Sequence, residues 1–316
     1  MLTDEKILIT GPAGQIAAPL TEYLARDNDV WGIARFSVPG SREEVEAMGA
    51  TTRVVDLGEG TFDGLPDDFT YVLHLAAAIG GTTDYDQSLR VNAEGTGLLL
   101  QHCRKAKAAL VMSTASVYKP NADPRHAFLE TDALGEAILP GAPTYSITKI
   151  AEEAVARYCA RAFDLPVTIA RMNAAYSARG GLPAYHLDAV VAGTTVLARN
   201  NPCPYSPIHQ HDINAQAEPL LAAASVPATI VNWGGDDAVG PHDWCALFGE
   251  LTGRTPVVEV RAVPGSQIGA SIDNTKRLTL TGPCTMRYPD AFRELYETRY
   301  PNGPDGGPIG MANPLA

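Results

Sequence analysis

Six short runs of β-branched and aliphatic residues alternate with helix-length segments along the first half of the chain: Lys6–Thr10, Asp29–Arg35, Thr51–Leu57, Tyr71–Ala77, Ala109–Ala115 and Pro166–Met172. Several are apolar on both faces, as in Val72-Leu73-His74-Leu75-Ala76-Ala77-Ala78. A strand of that kind needs cover on both sides, which a parallel sheet flanked by helices supplies. The intervening segments Gly14–Arg26, Tyr85–Lys107 and Tyr145–Phe163 have helical length. The alternation predicts an α/β fold with a doubly wound parallel sheet. After Asn173 the pattern loosens, and Gly180-Gly181, Pro183 and residues 200–207 read as loops. A strand at Ala228–Trp233 is expected to return to the sheet. Helices at Pro241–Thr252 and Asp290–Tyr300, with a strand at Val257–Arg261, read as a smaller C-terminal lobe. The expected division is a first domain over 1–172 with a returning segment at about 206–235, a second lobe over 173–205 and 236–300, and a Gly/Pro-rich tail over 301–316. The tail is expected to be disordered, the other option being an arm over a neighbouring subunit.

The chain is 45% hydrophobic over 316 residues, which suits a globular protein and not a disordered one. Lys and Arg number 24 against 36 Asp and Glu, a net charge of −12. That balance argues against nucleic acid and anionic membrane as partners, both of which reward clustered cations. No apolar run reaches the ~20 residues of a membrane span. Asp4-Glu5-Lys6 leads straight into Ile7-Leu8-Ile9 without a signal-peptide layout, so the expected location is the cytoplasm. The five cysteines are widely spaced and form no CxxC pair, so neither a disulfide framework nor a zinc site is expected.

The segment Ile7-Leu8-Ile9-Thr10-Gly11-Pro12-Ala13-Gly14-Gln15-Ile16-Ala17 reads as a strand, a glycine turn and a helix start. Gly11 permits the turn, Gly14 lets backbone approach a pyrophosphate at the helix N-terminus, and Ala17 is small enough for helix–strand packing. The plain alternative is a glycine turn with no ligand; its place at the head of an alternating chain favours a dinucleotide. The second strand ends Gly32-Ile33-Ala34-Arg35-Phe36-Ser37. An NAD site usually places a carboxylate there for the ribose 2′-hydroxyl; here Ala34 holds that position and Arg35 follows. Arg35, with Ser37, offers donors for a 2′-phosphate, so NADP is expected over NAD. The alternative is an arginine that points to solvent.

Tyr145 and Lys149 stand at i and i+4, on one helix face. An ammonium there lowers the phenol pKa and can hold a nicotinamide ribose; the alternative is an ordinary aromatic beside a solvated lysine. Upstream, Leu110-Val111-Met112-Ser113-Thr114-Ala115-Ser116-Val117-Tyr118 ends a strand in hydroxyls. A hydroxyl at the C-terminal edge of a parallel sheet can bond a substrate carbonyl while the tyrosine exchanges its proton, or it can simply cap the strand end.

Taken together these motifs resemble the extended short-chain dehydrogenase/reductase family, also called the NAD-dependent epimerase/dehydratase family. The likeness runs through Thr10-Gly11-Pro12-Ala13-Gly14-Gln15-Ile16-Ala17, Val54-Val55-Asp56-Leu57, Leu73-His74-Leu75-Ala76-Ala77, the stretch around Asn92, the hydroxyl segment around Thr114, Tyr145 with Lys149, and Ala170-Arg171-Met172-Asn173. The resemblance implies a Rossmann sheet and a homodimer paired through the helices after Tyr85 and from Tyr145. It implies that Tyr145 is the acid/base, Lys149 its electrostatic partner and Thr114 the catalytic hydroxyl, with Asn92 supporting a proton path. Cofactor contacts are implied at Gly11, Ala13, Gly14, Gln15, Ile16, Arg35, Ser37, Asp56, Leu57, Leu75, Ala76, Ala77, Lys149 and Met172.

Nucleotide-sugar members of this family carry an arginine that grips a substrate phosphate in a segment similar to Tyr205-Ser206-Pro207-Ile208-His209-Gln210-His211-Asp212. Here the arginine position is Tyr205. The expected function is therefore an NADP-dependent oxidoreductase acting on a small carbonyl or alcohol substrate. The alternative is a nucleotide-sugar epimerase or dehydratase with tightly bound NAD. Ile79, Ser116, Asn173, Tyr185 and His186 are the expected substrate-pocket residues. His209 and His211 would share one face of a strand, but no third ligand has suitable spacing, so no metal is expected.

Overall fold

The computed structural model describes residues 2–79, 83–135, 137–139 and 141–310. Its strands are β1 (Lys6–Thr10), β2 (Asp29–Ala34), β3 (Thr51–Val54), β4 (Tyr71–His74), β5 (Ala108–Thr114), β6 (Val167–Met172), β7 (Ala175–Tyr176), β8 (Val196–Ala198), β9 (Ile208–His209), β10 (Thr229–Trp233) and β11 (Val258–Val260). Its helices are α1 (Ala17–Leu24), α2 (Ser41–Ala47), α3 (Tyr85–Leu89), α4 (Gly95–His102), α5 (Tyr145–Phe163), α6 (Leu182–Ala192), α7 (Gln210–Ala222), α8 (Pro241–Thr252), α9 (Thr275–Thr281) and α10 (Asp290–Arg299).

A parallel seven-stranded sheet runs in the order β10-β6-β5-β4-β1-β2-β3. The strand order reverses between β1 and β4, which makes their C-terminal ends the switch point where such sheets bind ligands. Leu8, Val72, Val111 and Ile169 are fully buried in the sheet, and Leu99, Leu100, Ala156 and Ala160 pack on them from the helices. This is the burial that apolar runs on both strand faces require.

The chain divides into two compact units. The first comprises 1–114, 142–171 and 213–231; the second comprises 115–141, 172–212 and 232–316. Residues 115–141 thus cluster with the second unit, although the sequence reading places them in the first domain. The second unit has its own core around Tyr176, Leu187, Trp244, Phe248, Phe292 and Leu295. It carries two small parallel pairs, β8 with β11 and β7 with β9.

Several boundaries depart from the sequence reading for local reasons. β4 ends at His74 rather than Ala77, because the next two amides, of Leu75 and Ala76, donate to the Thr10 hydroxyl at 3.0 and 2.9 Å. The expected helix over 85–107 is broken into α3, a π-helical turn at Arg90–Glu94, and α4. α6 starts at Leu182, where Gly180-Gly181 and Pro183 read as a loop. Its proline sits in the first turn, where a missing N–H costs nothing, and Gly193 closes it with φ +66°. His209 ends β9, while His211 falls in the first turn of α7, so the two do not share a strand face. His209 instead pairs with Glu294 at 3.1 Å and meets Tyr176 edge-on. The tail is tied down at Ile309: its amide donates to the Arg299 carbonyl at 2.9 Å, and the Arg299 guanidinium donates to its carbonyl at 2.9 Å. Residues 311–316 of the expected tail lie outside the described residues.

Candidate active site

Four groups of the sequence-predicted cofactor residues come together at one edge of the sheet. Gly11, Ala13, Gly14, Gln15 and Ile16 join β1 to α1. Arg35 and Ser37 follow β2, Asp56 and Leu57 follow β3, and Leu75, Ala76 and Ala77 follow β4, with the expected substrate residue Ile79 just beyond them. Gly11 has φ +65°, and a Cβ on it would stand 3.2 Å from the Cα and Cβ of Ala76. Only glycine meets both demands without strain. Gly14 is exposed, and α1 has no acidic residue in its first turn and no side-chain cap at Ile16. An open glycine turn ahead of a helix terminus free of carboxylates fits the pyrophosphate of a dinucleotide. Arg35 is exposed just past β2, and Asp56 Oδ1 accepts from the Gly58 amide at 2.9 Å.

Thr114 is the last residue of β5, and Tyr145 and Lys149 open α5 on one face. The Thr114 hydroxyl hydrogen-bonds the Tyr145 phenol. Burial pushes the phenol above its usual range, and the Lys149 ammonium works against that shift. Lys149 is 1% exposed; its Nζ donates to the Met112 carbonyl at 2.7 Å and pairs with the Glu152 carboxylate.

α5 is pinned against the sheet by a second buried carboxylate. Glu153 accepts from Arg171 of β6 through Nε at 2.9 Å and Nη2 at 2.7 Å, and from Ser113 of β5 at 2.6 Å. Ser113 therefore anchors the helix and is not a strand-end hydroxyl directed at a ligand. Asn92 lies in the π-helical turn. Its amide accepts from the Ala78 N–H at 2.7 Å and donates to the Ala78 carbonyl at 3.0 Å and to Thr148 at 2.9 Å. It ties the loop after β4 to α5.

His74 sits beneath this group. The Thr10 hydroxyl accepts from two amides, so its single proton goes to His74 Nδ1 at 2.8 Å. Nε2 then carries the ring proton, toward Thr96 at 2.7 Å and Glu152 at 3.5 Å. Burial, reinforced by Lys149, drives the His74 pKa down to about 3, so the ring stays neutral.

The remaining sequence-predicted residues fall in the second unit. Met172 ends β6 and Ser116 follows β5. The Asn173 side chain is engaged with backbone: it donates to the Ala270 carbonyl at 2.7 Å and accepts from the amides of Ala174 and Ser206, both at 2.9 Å. Tyr185 and His186 lie on α6. His186 Nδ1 accepts from Trp244 Nε1 at 3.0 Å, and burial lowers the ring pKa to about 4. Burial pushes the Tyr205 phenol up to about 12. A cleft within this unit, lined by residues including Arg125, Cys203, His242 and Asp243, contains none of the predicted site residues. Among the described residues no cluster of three or more His, Cys, Asp or Glu has metal-site geometry, and no helix is long and apolar enough to cross a membrane.

Sequence reasoning missed Glu152, Glu153, His74 and Arg171. Two consecutive glutamates inside a helix read as a solvent-facing pair, and no local pattern marks them as buried.

No curated protein matches the chain in sequence. Among solved structures it is similar to UDP-glucuronic acid 4-epimerase of Bacillus cereus, solved with UDP-glucuronic acid and NAD. That likeness has a TM-score of 0.76 and 21% identity, over 92% of this chain and 98% of that one. It is similar to UDP-glucose 4-epimerase of Thermotoga maritima, solved with UDP-glucose, with TM-score 0.75 and 19% identity over 92% and 97% of the two chains. UDP-N-acetylglucosamine 4-epimerase of Methanobrevibacter ruminantium, in complex with UDP-N-acetylmuramic acid, gives TM-score 0.77 and 18% identity over 93% and 97%. At these identities the likeness establishes the fold. Residues 7–196 match the family described as NAD dependent epimerase/dehydratase, a span that includes the glycine loop, Thr114, Tyr145 and Lys149. The chain belongs to the NAD-dependent epimerase/dehydratase family.

Proposed function

We propose that this protein is a nicotinamide-dependent epimerase or dehydratase acting on a secondary alcohol of a nucleotide-linked sugar. The observation that carries the reading is the Tyr145 phenol bonded to Thr114, with the Lys149 ammonium one helical turn away, in a chain of this family. The structurally similar UDP-sugar epimerases support the substrate class. A nicotinamide dinucleotide bound at the β1–α1 loop supplies hydride acceptance and return. Gly11, Ala13, Gly14, Gln15 and Ile16 would hold its pyrophosphate, Arg35 and Ser37 its adenosine ribose, and Asp56 its adenine. Leu57, Leu75, Ala76, Ala77 and Met172 would line it, and Lys149 would bond its second ribose.

Tyr145 removes the proton of the substrate hydroxyl and later returns one to the carbonyl oxygen. Thr114 holds that oxygen in line with the phenol, and Lys149 stabilises the phenolate form. Ile79 of the first unit and Ser116, Tyr185 and His186 of the second are the proposed substrate-binding residues. His186, held neutral as a hydrogen-bond acceptor, offers shape rather than charge. Asn92 serves through position, because its amide is already engaged.

A second reading, an NADP-dependent carbonyl reductase, is favoured by two positions. Ala34-Arg35 offers no carboxylate to a 2′-hydroxyl, and Tyr205 provides no cation for a substrate phosphate. One experiment separates the two. The protein is incubated with UDP-glucose, UDP-glucuronic acid and UDP-N-acetylglucosamine while products and nicotinamide absorbance are followed. A parallel series offers NADPH with ketones and aldehydes. Isomerised or dehydrated sugar without net change in cofactor supports the first reading; stoichiometric NADPH consumption supports the second.

We further propose a homodimer paired through α4 and α5. Leu98, Ile147 and Tyr158 are 42%, 41% and 68% exposed on these helices, which exceeds what a solvent face requires.

A further inference from the structure

Lys149 reaches Tyr145 as a partner already shared. Its ammonium donates to the Met112 carbonyl at 2.7 Å and forms an ion pair with Glu152, three residues along α5. The Glu152 side chain is completely buried. The titratable groups around it are Lys149 and Glu153 on its own helix and His74 on β4; Tyr145 lies two turns back. Glu153 is neutralised by Arg171. His74 is neutral and offers only an N–H at 3.5 Å. Lys149 is therefore the one cation that compensates Glu152 among the described residues. The Lys149–Glu152 pair sums to zero charge, so Tyr145 does not sense a bare ammonium.

We propose that Glu152 is a positioning residue: it holds the Lys149 ammonium in the core and offsets its charge, and so sets the acidity of the Tyr145 hydroxyl. The inference rests on the reading that Tyr145 exchanges the substrate proton. Two further observations agree with it. The Glu152 charge acts on the Tyr145 phenol in the direction opposite to Lys149. Burial raises the pKa of the Glu152 carboxyl and Lys149 pulls it down, so the carboxylate depends on Lys149 for its charge.

The test is a tyrosinate absorbance titration with NAD present. The Tyr145 contribution is isolated by subtracting the titration of Tyr145→Phe in the same background. Glu152→Gln keeps the shape and removes the charge. It is expected to lower the Tyr145 midpoint by about one pH unit, the scale of a nearby like charge removed. Glu152→Asp, whose charge is drawn back by one methylene, is expected to move it the same way by less. If Glu152→Gln does not fold, Glu152→Asp carries the test. The acid limb of kcat, with the substrate found by the panel above, is expected to move in parallel while KM holds. A midpoint unchanged or raised in the variants, or beyond the accessible range in every protein, overturns the proposal. The titration needs no substrate, so failure to find a sugar or carbonyl turnover refutes the functional reading separately and leaves this result standing.

Discussion

Replacing Glu153 with alanine tests whether α5, and with it the candidate site, is held by a buried charge. The carboxylate receives three short hydrogen bonds, two from Arg171 and one from Ser113, at 2.9, 2.7 and 2.6 Å. The side chains of Arg171 and Glu153 are 2% and 3% exposed, so solvent screens neither. Alanine at 153 leaves a guanidinium buried on β6 without a counter-charge. Breaking a buried pair in this way costs about 3–5 kcal/mol, a large share of the roughly 5–15 kcal/mol that keeps a protein folded. Removing both charges is different: Glu153→Leu with Arg171→Met exchanges a desolvated pair for apolar packing, which is often close to neutral. Urea denaturation followed by circular dichroism and tryptophan fluorescence gives the two values. Glu153→Ala is expected to lower stability by about 3–5 kcal/mol, and the double variant to recover more than half of that. A loss below about 1 kcal/mol in the single variant, the scale of an exposed pair, refutes the reasoning. So does a double variant as unstable as the single one.

Tyr145→Phe keeps the ring and removes the hydroxyl bonded to Thr114. Turnover should fall by about 10²–10⁴-fold with folding and cofactor affinity nearly intact, and retained activity would assign the proton transfer elsewhere. Lys149→Ala should damage both turnover and cofactor affinity, whereas Thr114→Ser should keep much of the turnover that Thr114→Val loses; steady-state kinetics with cofactor titration separates these patterns. Arg35→Ala should weaken NADP by roughly 1.5–3 kcal/mol and NAD far less, and equal affinities of the unaltered protein for the two cofactors would remove the 2′-phosphate argument. Light scattering at micromolar concentration should give a dimer, and Tyr158→Glu on the exposed face of α5 should shift it toward monomer; a monomeric unaltered protein contradicts the α4–α5 pairing.

The strands of the first unit, α5 and α8 follow from periodicity and turn chemistry that a few neighbouring residues carry. The glycine turn at Gly11 and the one-turn spacing of Tyr145 and Lys149 are likewise local, so they are legible in the chain as written. The nicotinamide-type cofactor and the family follow from such segments, while the expected preference for NADP over NAD turns on the few residues Ala34, Arg35 and Ser37. At two places local signals compete. Gly180-Gly181 and Pro183 mark a loop and also open α6. His209 and His211 are two apart, yet a strand ends and a helix begins between them.

Burial of polar groups lies beyond local pattern altogether. Glu152 and Glu153 are adjacent on a helix and point about 100° apart. One meets Lys149 near His74, the other meets Arg171 and Ser113, and both are buried. The periodicity of α5 tells which residues share a face, but not that two of its faces are covered. Ser113, one of the strand-end hydroxyls, bonds Glu153, and the Asn92 amide ties the loop after β4 to α5. The tail from 301 reads as loose and is fastened at Ile309 to the Arg299 guanidinium and carbonyl. Backbone preferences depend on a few adjacent residues and can be read in order. The environment of a buried charge depends on which distant strands and helices the fold packs against it, and that is decided only when the chain has closed on itself.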